Sequence, residues 1–223
     1  MLLALAFKLR SLINIMPFFN KKKIKRKNTF YSKKALLLRS KIICTGKNNS
    51  IMLHEGVILY KTTIIISGDN NTVIIGKNSV IKYANLNIED SENEIVLGEK
   101  VHMCGSINIA CLEGSKVEIG DECLFSSEIE IRTSDSHSIF DESGNRINTP
   151  KNVKIGHHVW CGQRVFILKG SVVGNDSVIG AGSLVNKAYA INNCILAGSP
   201  AKVVKENIIW DKERTLNLEQ KGK

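Results

Sequence analysis

Acidic residues are missing from the first quarter of this sequence. No Asp or Glu precedes Glu55, while residues 1–54 carry 13 Lys or Arg. The formal net charge of +10 therefore belongs to that stretch: the rest of the 223 residues hold 18 bases against all 21 acids. Such asymmetry excludes a uniformly basic body and points to an arm that meets an anionic surface, membrane or nucleic acid. Aromatic residues are scarce at 6%, beside many Ile, Val, Gly and Asn, which favours β-structure with many turns over a helical bundle. Long apolar runs are absent too: no uninterrupted stretch reaches the ~20 residues of a transmembrane helix. The apolar start, Met1 to Asn20, is broken by Lys8 and Arg10, and its charged cluster, Lys21 to Lys27, comes after the apolar residues, the wrong order for a signal peptide. What remains is an amphipathic helix with a polybasic segment, lying in a membrane interface or packing on its own oligomer. Six cysteines occur with no CxxC and no Cys/His zinc spacing. A chain of this size needs no disulfide framework, so buried free thiols in a reducing cytoplasm are expected.

What the sequence does have is a repeat. From Ile155 an aliphatic or small residue returns every six positions: Ile155, Cys161, Ile167, Val173, Ile179, Val185. Gly follows at 156, 162, 174 and 180, and Val159, Val165, Ser171, Ser177 and Ser183 stand four places after the guide residues. Each hexad reads as one short strand and one turn, with three hexads closing a triangular coil. The first half has a longer period. Thr45–Leu53, Ser67–Ile75, Glu89–Leu97 and Cys111–Ile119 align at intervals of 22, each with a polar turn followed by apolar alternation. Those coils are expected to carry a small bulge at one corner and to stack, each covering the open face of the one before. Periodicity does not fix the handedness.

The repeat stops after Ile131. Residues 133–153, TSDSHSIFDESGNRINTPKNV, fit no hexad, and a loop of this length leaving a solenoid is expected to be functional. It carries His137, flanked by Asp135. Imidazole titrates near working pH and suits the task of a general base.

SDSHSIFD, then KIGHHVWCGQ, VIGAGSLVNK and AGSPAKVVKENIIW, together resemble the hexapeptide-repeat acyltransferase superfamily, in its sugar and polysaccharide O-acetyltransferase branch, over about residues 45–210. The resemblance implies a left-handed parallel β-helix, an all-β solenoid over 45–204 with an extruded catalytic loop; the charge and apolar pattern set an N-terminal basic amphipathic helical arm over 1–44 before it and a tail over 205–223 after it. It implies acetyl-CoA as cosubstrate, no metal, and a homotrimer with the active site between subunits. It makes His137 the base that deprotonates an acceptor hydroxyl, places Asn108 near the acceptor, sets Trp160 against the pantetheine arm, and aligns Gly162, Gly180 and Ala181 with that arm and Lys187 and Lys202 with the CoA phosphates. Asp135 is a candidate partner for His137.

The expected acceptor is a sugar of capsule, lipopolysaccharide or sialic acid; Arg132, Arg146 and Lys151 near the loop would favour an acidic one. N-acetylation of an amino sugar or small amine, and a noncatalytic β-helix scaffold, stay open as alternatives. His157 and His158 read as surface residues at a turn, His54 and His102 as parts of coil faces, and no zinc-ligating set assembles from the five histidines. The arm has no nucleic-acid motif and the body is slightly acidic, so the expected location is cytoplasmic, peripheral at the inner face of the membrane.

Overall fold

The computed structural model describes Leu9, Leu12, Asn14, residues 20–32 and residues 34–213. Its elements are 25 strands in three sheets of eight, eight and nine. Every third strand along the chain joins the same sheet, so the three sheets, here faces A, B and C, are the three sides of a prism that the chain winds around. All pairings within the faces are parallel except the last, where Ala201–Lys205 returns antiparallel beside Ile195–Gly198. The chain is thus an all-β parallel solenoid. The expected amphipathic helix of the first 20 residues lies almost wholly outside the described residues.

Residues one coil apart stand above one another. Ile51, Val73, Ile95 and Val117 do so at intervals of 22, and Ile155–Val173 and Cys161–Ile179 at 18. The six guide residues and the five small residues of the later hexads are all buried in the prism. Each fully buried Ile or Leu removes apolar surface worth about 1.5–3 kcal/mol, and stacking repeats that gain at every rung. Five cysteines join this core and none forms a disulfide, while Cys104 is exposed. Burial pushes the Cys123 thiol up to about 12, which makes it an inert packing group.

The extra residues of the 22-residue coils build a polar ladder. Asn49, Asn71 and Asn93 are buried, and each side-chain carbonyl accepts from the next coil's backbone: Asn49 Oδ1 from Asn71 N at 2.8 Å, Asn71 Oδ1 from Asn93 N at 2.8 Å, Asn93 Oδ1 from Ser115 N at 3.0 Å. The corner is tight. A Cβ on Gly68, whose φ is 113°, would sit 1.8 Å from Asp90 O, so glycine alone fits there.

The solenoid starts before residue 45. Asn20–Ile24 pairs with Ser40–Cys44, Thr29–Tyr31 with Ser50–Leu53, and Leu36–Leu38 with Ile58–Tyr60, so much of the stretch assigned to an arm is the first coil. Leu37 is buried and Ile24 and Phe30 pack against the core, level with the inward Leu59, Cys44 and Ile51. On its first strand Lys21 and Lys23 face outward, and the exposed Lys22, level with the buried Ile42, interrupts the alternation. An outward position of a solenoid tolerates any soluble side chain.

Candidate active site

The extruded loop leaves from the strand Ile129–Arg132 of face A and returns into Val153–Ile155 of face B. It therefore stands on the corner between A and B. Its base is closed by Lys151 N donating to Thr133 O at 3.0 Å. A small turn holds its far end: Asp141 Oδ1 accepts from Ser143 N at 2.9 Å and Asn145 N at 2.8 Å, and Phe140 bridges Arg146. Glu113, in the polar turn of the coil below, anchors it. That carboxylate takes the Arg146 guanidinium through two nitrogens and the Ser134 hydroxyl through a short bond. The Arg146 hydrogen bonds, then the Ser134 bond, hold Glu113 below the usual carboxylate range.

Asn148, buried, organises the segment around His137. Its Nδ2 donates to His137 O at 2.8 Å and to Asp135 Oδ2 at 2.9 Å, and its Oδ1 accepts from Ile139 N at 2.7 Å. Lys169 donates to Asp135 Oδ2 at 2.5 Å and to Asn148 O at 3.0 Å, and its bond to Asp135 holds that carboxyl below its ordinary range. Asp135 thus serves Lys169 and Asn148; no hydrogen bond joins it to the His137 ring among the described residues. The His137 backbone is fixed while its side chain points into solvent. By contrast His102, His157 and His158 are engaged by Lys212, Asp121 and Asp176.

On face A, Asn108 lies in a polar row below the loop. Asn87 Nδ2 donates to Asn108 Oδ1 at 3.2 Å, and Asn108 Nδ2 donates to Glu130 Oε1 and Oε2 at 2.9 and 3.0 Å. Arg132 Nε donates to Glu130 Oε1 at 2.6 Å. Within this chain the Arg132 and Arg146 guanidinium groups each face a carboxylate, Glu130 and Glu113. Lys151 remains exposed, its stem against Gly170.

Trp160 stands on face C, 42% exposed, between Leu124 and Val178 of the neighbouring coils. Gly162, Gly180 and Ala181 follow at the corner between C and A, and Lys202 lies on the closing strand of C. Gly162 is demanded by stacking, since a Cβ there would lie 2.8 Å from Ala181 N. Ala181 and Gly182 are exposed, and a Cβ on Gly182 would meet nothing within 4 Å. This leaves an open strip of small residues at the corner between C and A. Lys187 is elsewhere, on the A/B corner, over the Tyr189 ring at 5.4 Å.

The sequence-predicted residues thus form two groups. His137, Asp135, Asn108 and Lys187 lie on face A and its corner with B; Trp160, Gly162, Gly180, Ala181 and Lys202 lie on face C and its corner with A. Face C does not touch the A/B corner of its own prism. Sequence reasoning missed Asn148, Glu113, Lys169 and Trp210. The first three sit among ordinary polar residues, and nothing local marks them. The Trp210 ring stacks on His158 at 4.1 Å, donates to His158 O at 2.9 Å and stands 6.0 Å from Trp160.

No family model matches the chain. Over 110 residues it is 38% identical to the polysialic acid O-acetyltransferase of Neisseria meningitidis; the match spans 49% of this chain and 50% of that protein. The chain thus spans about half the length of that curated relative. The solved structure of the polySia specific acetyltransferase NeuO superposes with a TM-score of 0.78 at 34% identity, covering 90% of both chains. That of the polysialic acid O-acetyltransferase OatWY superposes with a TM-score of 0.59 at 31% identity, covering 86% of this chain and 94% of that one.

Proposed function

This chain belongs to the hexapeptide-repeat acyltransferase superfamily, in its sugar and polysaccharide O-acetyltransferase branch, and from that premise we propose that it transfers an acetyl group from acetyl-CoA to a hydroxyl of a cell-surface glycan. The observation that carries the reading is the break in the solenoid. There a loop held by Glu113, Asn148 and Lys169 presents one exposed histidine, His137, with no ring partner among the described residues. Bound at Trp160 and the strip Gly180–Ala181, acetyl-CoA would supply an activated acyl thioester. His137 takes the proton from the acceptor hydroxyl as that oxygen attacks the carbonyl, and returns it to the departing thiolate. Asn148 acts through the backbone of His137, as a positioning residue. Asn108 lines the acceptor side on face A. The prism has the left hand of its family.

The split of the residues into two groups supports a composite site. Face A of one copy meets face C of the next, so the His137 loop of one chain reaches the Trp160 strip of its neighbour. A head-to-tail contact of this kind closes into a ring, here a trimer. The exposed loop residues Ile139, Phe140 and Ile147 give the loop an apolar tip for that neighbour.

The test measures thiol release from acetyl-CoA with neutral sugars, an acidic glycan polymer, lipopolysaccharide and amino sugars as acceptors. Acetyl appearing on hydroxyls supports the reading; transfer to amines alone, or no acceptor-dependent release, overturns it. Co-expression of His137→Ala and Trp160→Ala chains then tests the composite site. Random mixing would rebuild about a quarter of the sites from one intact histidine and one intact tryptophan. No recovered activity would place both groups in one chain's site.

A further inference from the structure

Nine bases crowd the first coil and the start of the second. Lys21, Lys22, Lys23, Lys25, Arg26 and Lys27 stand exposed on and just after the strand Asn20–Ile24, and Lys34, Arg39 and Lys41 follow. Among the described residues one of them has an acidic partner, Lys34 with Glu55 at 2.8 Å. The three strands of the first coil are the terminal strands of the three sheets, so the bases ring one end of the prism. Asn14 is pinned at that end. Asn14 is buried, donates from Nδ2 to Ala35 O at 2.8 Å and accepts from Leu37 N at 2.8 Å. Close to it in sequence, Leu9 and Leu12 are 44% and 55% exposed.

We propose that this end of the solenoid docks on an anionic lipid bilayer, with the prism axis standing away from the membrane. Like charges packed at one rigid end repel one another, a cost that a negative surface removes. Bases alone would suit any polyanion. Exposed leucines beside them favour lipid, because interfacial binding combines apolar insertion with attraction to anionic headgroups. Docking at this end would hold the protein at the cytoplasmic face of the membrane.

The coil count then sets a height. Ile129–Arg132, from which the His137 loop departs, lies five strands above Asn20–Ile24 in the same sheet. At ~4.8 Å per strand the root of the loop stands about 24 Å from the docked end. Resting on the acyl-transfer reading, this consequence selects acceptor sugars that extend from the bilayer by several units over sugars at headgroup level.

The full chain is sedimented with phosphatidylcholine vesicles that contain or lack phosphatidylglycerol. The expected result is binding to the anionic vesicles at low salt, at least tenfold weaker on the neutral ones, and falling as salt rises. Changing Lys21, Lys23 and Lys25 to Gln should weaken binding about fivefold per base. Leu9→Asn with Leu12→Asn should abolish the binding that survives at high salt. Hydrogen exchange should show vesicle protection confined to the first coil and the chain before it. Retention of the full chain in the supernatant with anionic vesicles at low salt overturns docking. Binding to an immobilised acidic polysaccharide as tight as to vesicles, and indifferent to the leucine changes, assigns the end to a glycan and also overturns it. Protection of residues 133–153 overturns the standing orientation. Thiol release with a soluble acceptor should be unchanged in the lysine variants, which separates failure of the docking from failure of the acyl-transfer reading.

Discussion

The stacked coils and the extruded loop are stabilised in opposite ways. In the coils one pattern repeats, and Ile51, Val73, Ile95 and Val117 do one job at four heights. In the loop, order rests on a few polar contacts that occur once each: Arg146 on Glu113, Lys169 on Asp135, Asn148 on the His137 carbonyl. A repeat spreads its stability over many equivalent contacts and resists local change. A loop held by single contacts can place one side chain accurately and can also lose it through one substitution. Stability and chemistry are therefore expected to respond to different mutations.

The sharpest form of that expectation is a pair of variants. His137→Ala should lower turnover by about 10²–10⁴-fold with denaturant unfolding unchanged. Ile109→Ala, inside the prism, should cost about 2–5 kcal/mol of stability while turnover well below the melting point stays close to that of the parent. Loss of stability in the first, or of turnover alone in the second, would dissolve the contrast. A smaller effect comes from the polar part of the coils. Asn71→Ala leaves the buried Asn93 N–H without its acceptor and should cost about 1–3 kcal/mol, read by the same unfolding curves. If it costs nothing, the ladder is decoration on an apolar scaffold. Asn148→Ala should reduce turnover on the order of tenfold through misplacement of His137. Its global stability should hold, with faster hydrogen exchange confined to residues 133–153.

The mildest perturbation is pH. Glu113 is held low by Arg146 and Asp135 by Lys169, so both fold with carboxyl pKa values below their unfolded ones. Depressed carboxyls contribute fully above the ordinary range of about 4 and lose that contribution as pH falls through the lowered values. Loop order followed by exchange or NMR should therefore be flat at neutral pH and decline only in acid, before the coils unfold. Asp135→Asn should remove part of that dependence.

The expectation of a solenoid rested on the six-residue and 22-residue periods, and the register follows both. The position of its start did not emerge from the same reading, because Lys21, Lys22 and Lys23 masked the alternation of the first coil. His137 was legible as the histidine of a segment that fits no hexad. Asn148 was not, because an asparagine in a polar loop has no local mark until its partners are known.

The division between sequence and structure follows from the range of the interactions. Periodic burial is a local property: each residue's place on a coil is fixed by its distance from the last guide residue, so the linear sequence determined the coils that follow the first, their two periods and the point where they break. Which corners and faces carry the chemistry is a property of winding. Only the closed prism set His137 at the A/B corner and Trp160 on face C, and only its stacking gathered residues 14, 35 and 37 at one end. Contacts between residues a coil or more apart depend on how many residues each turn consumes. That accumulated sum becomes a position only when every turn has closed.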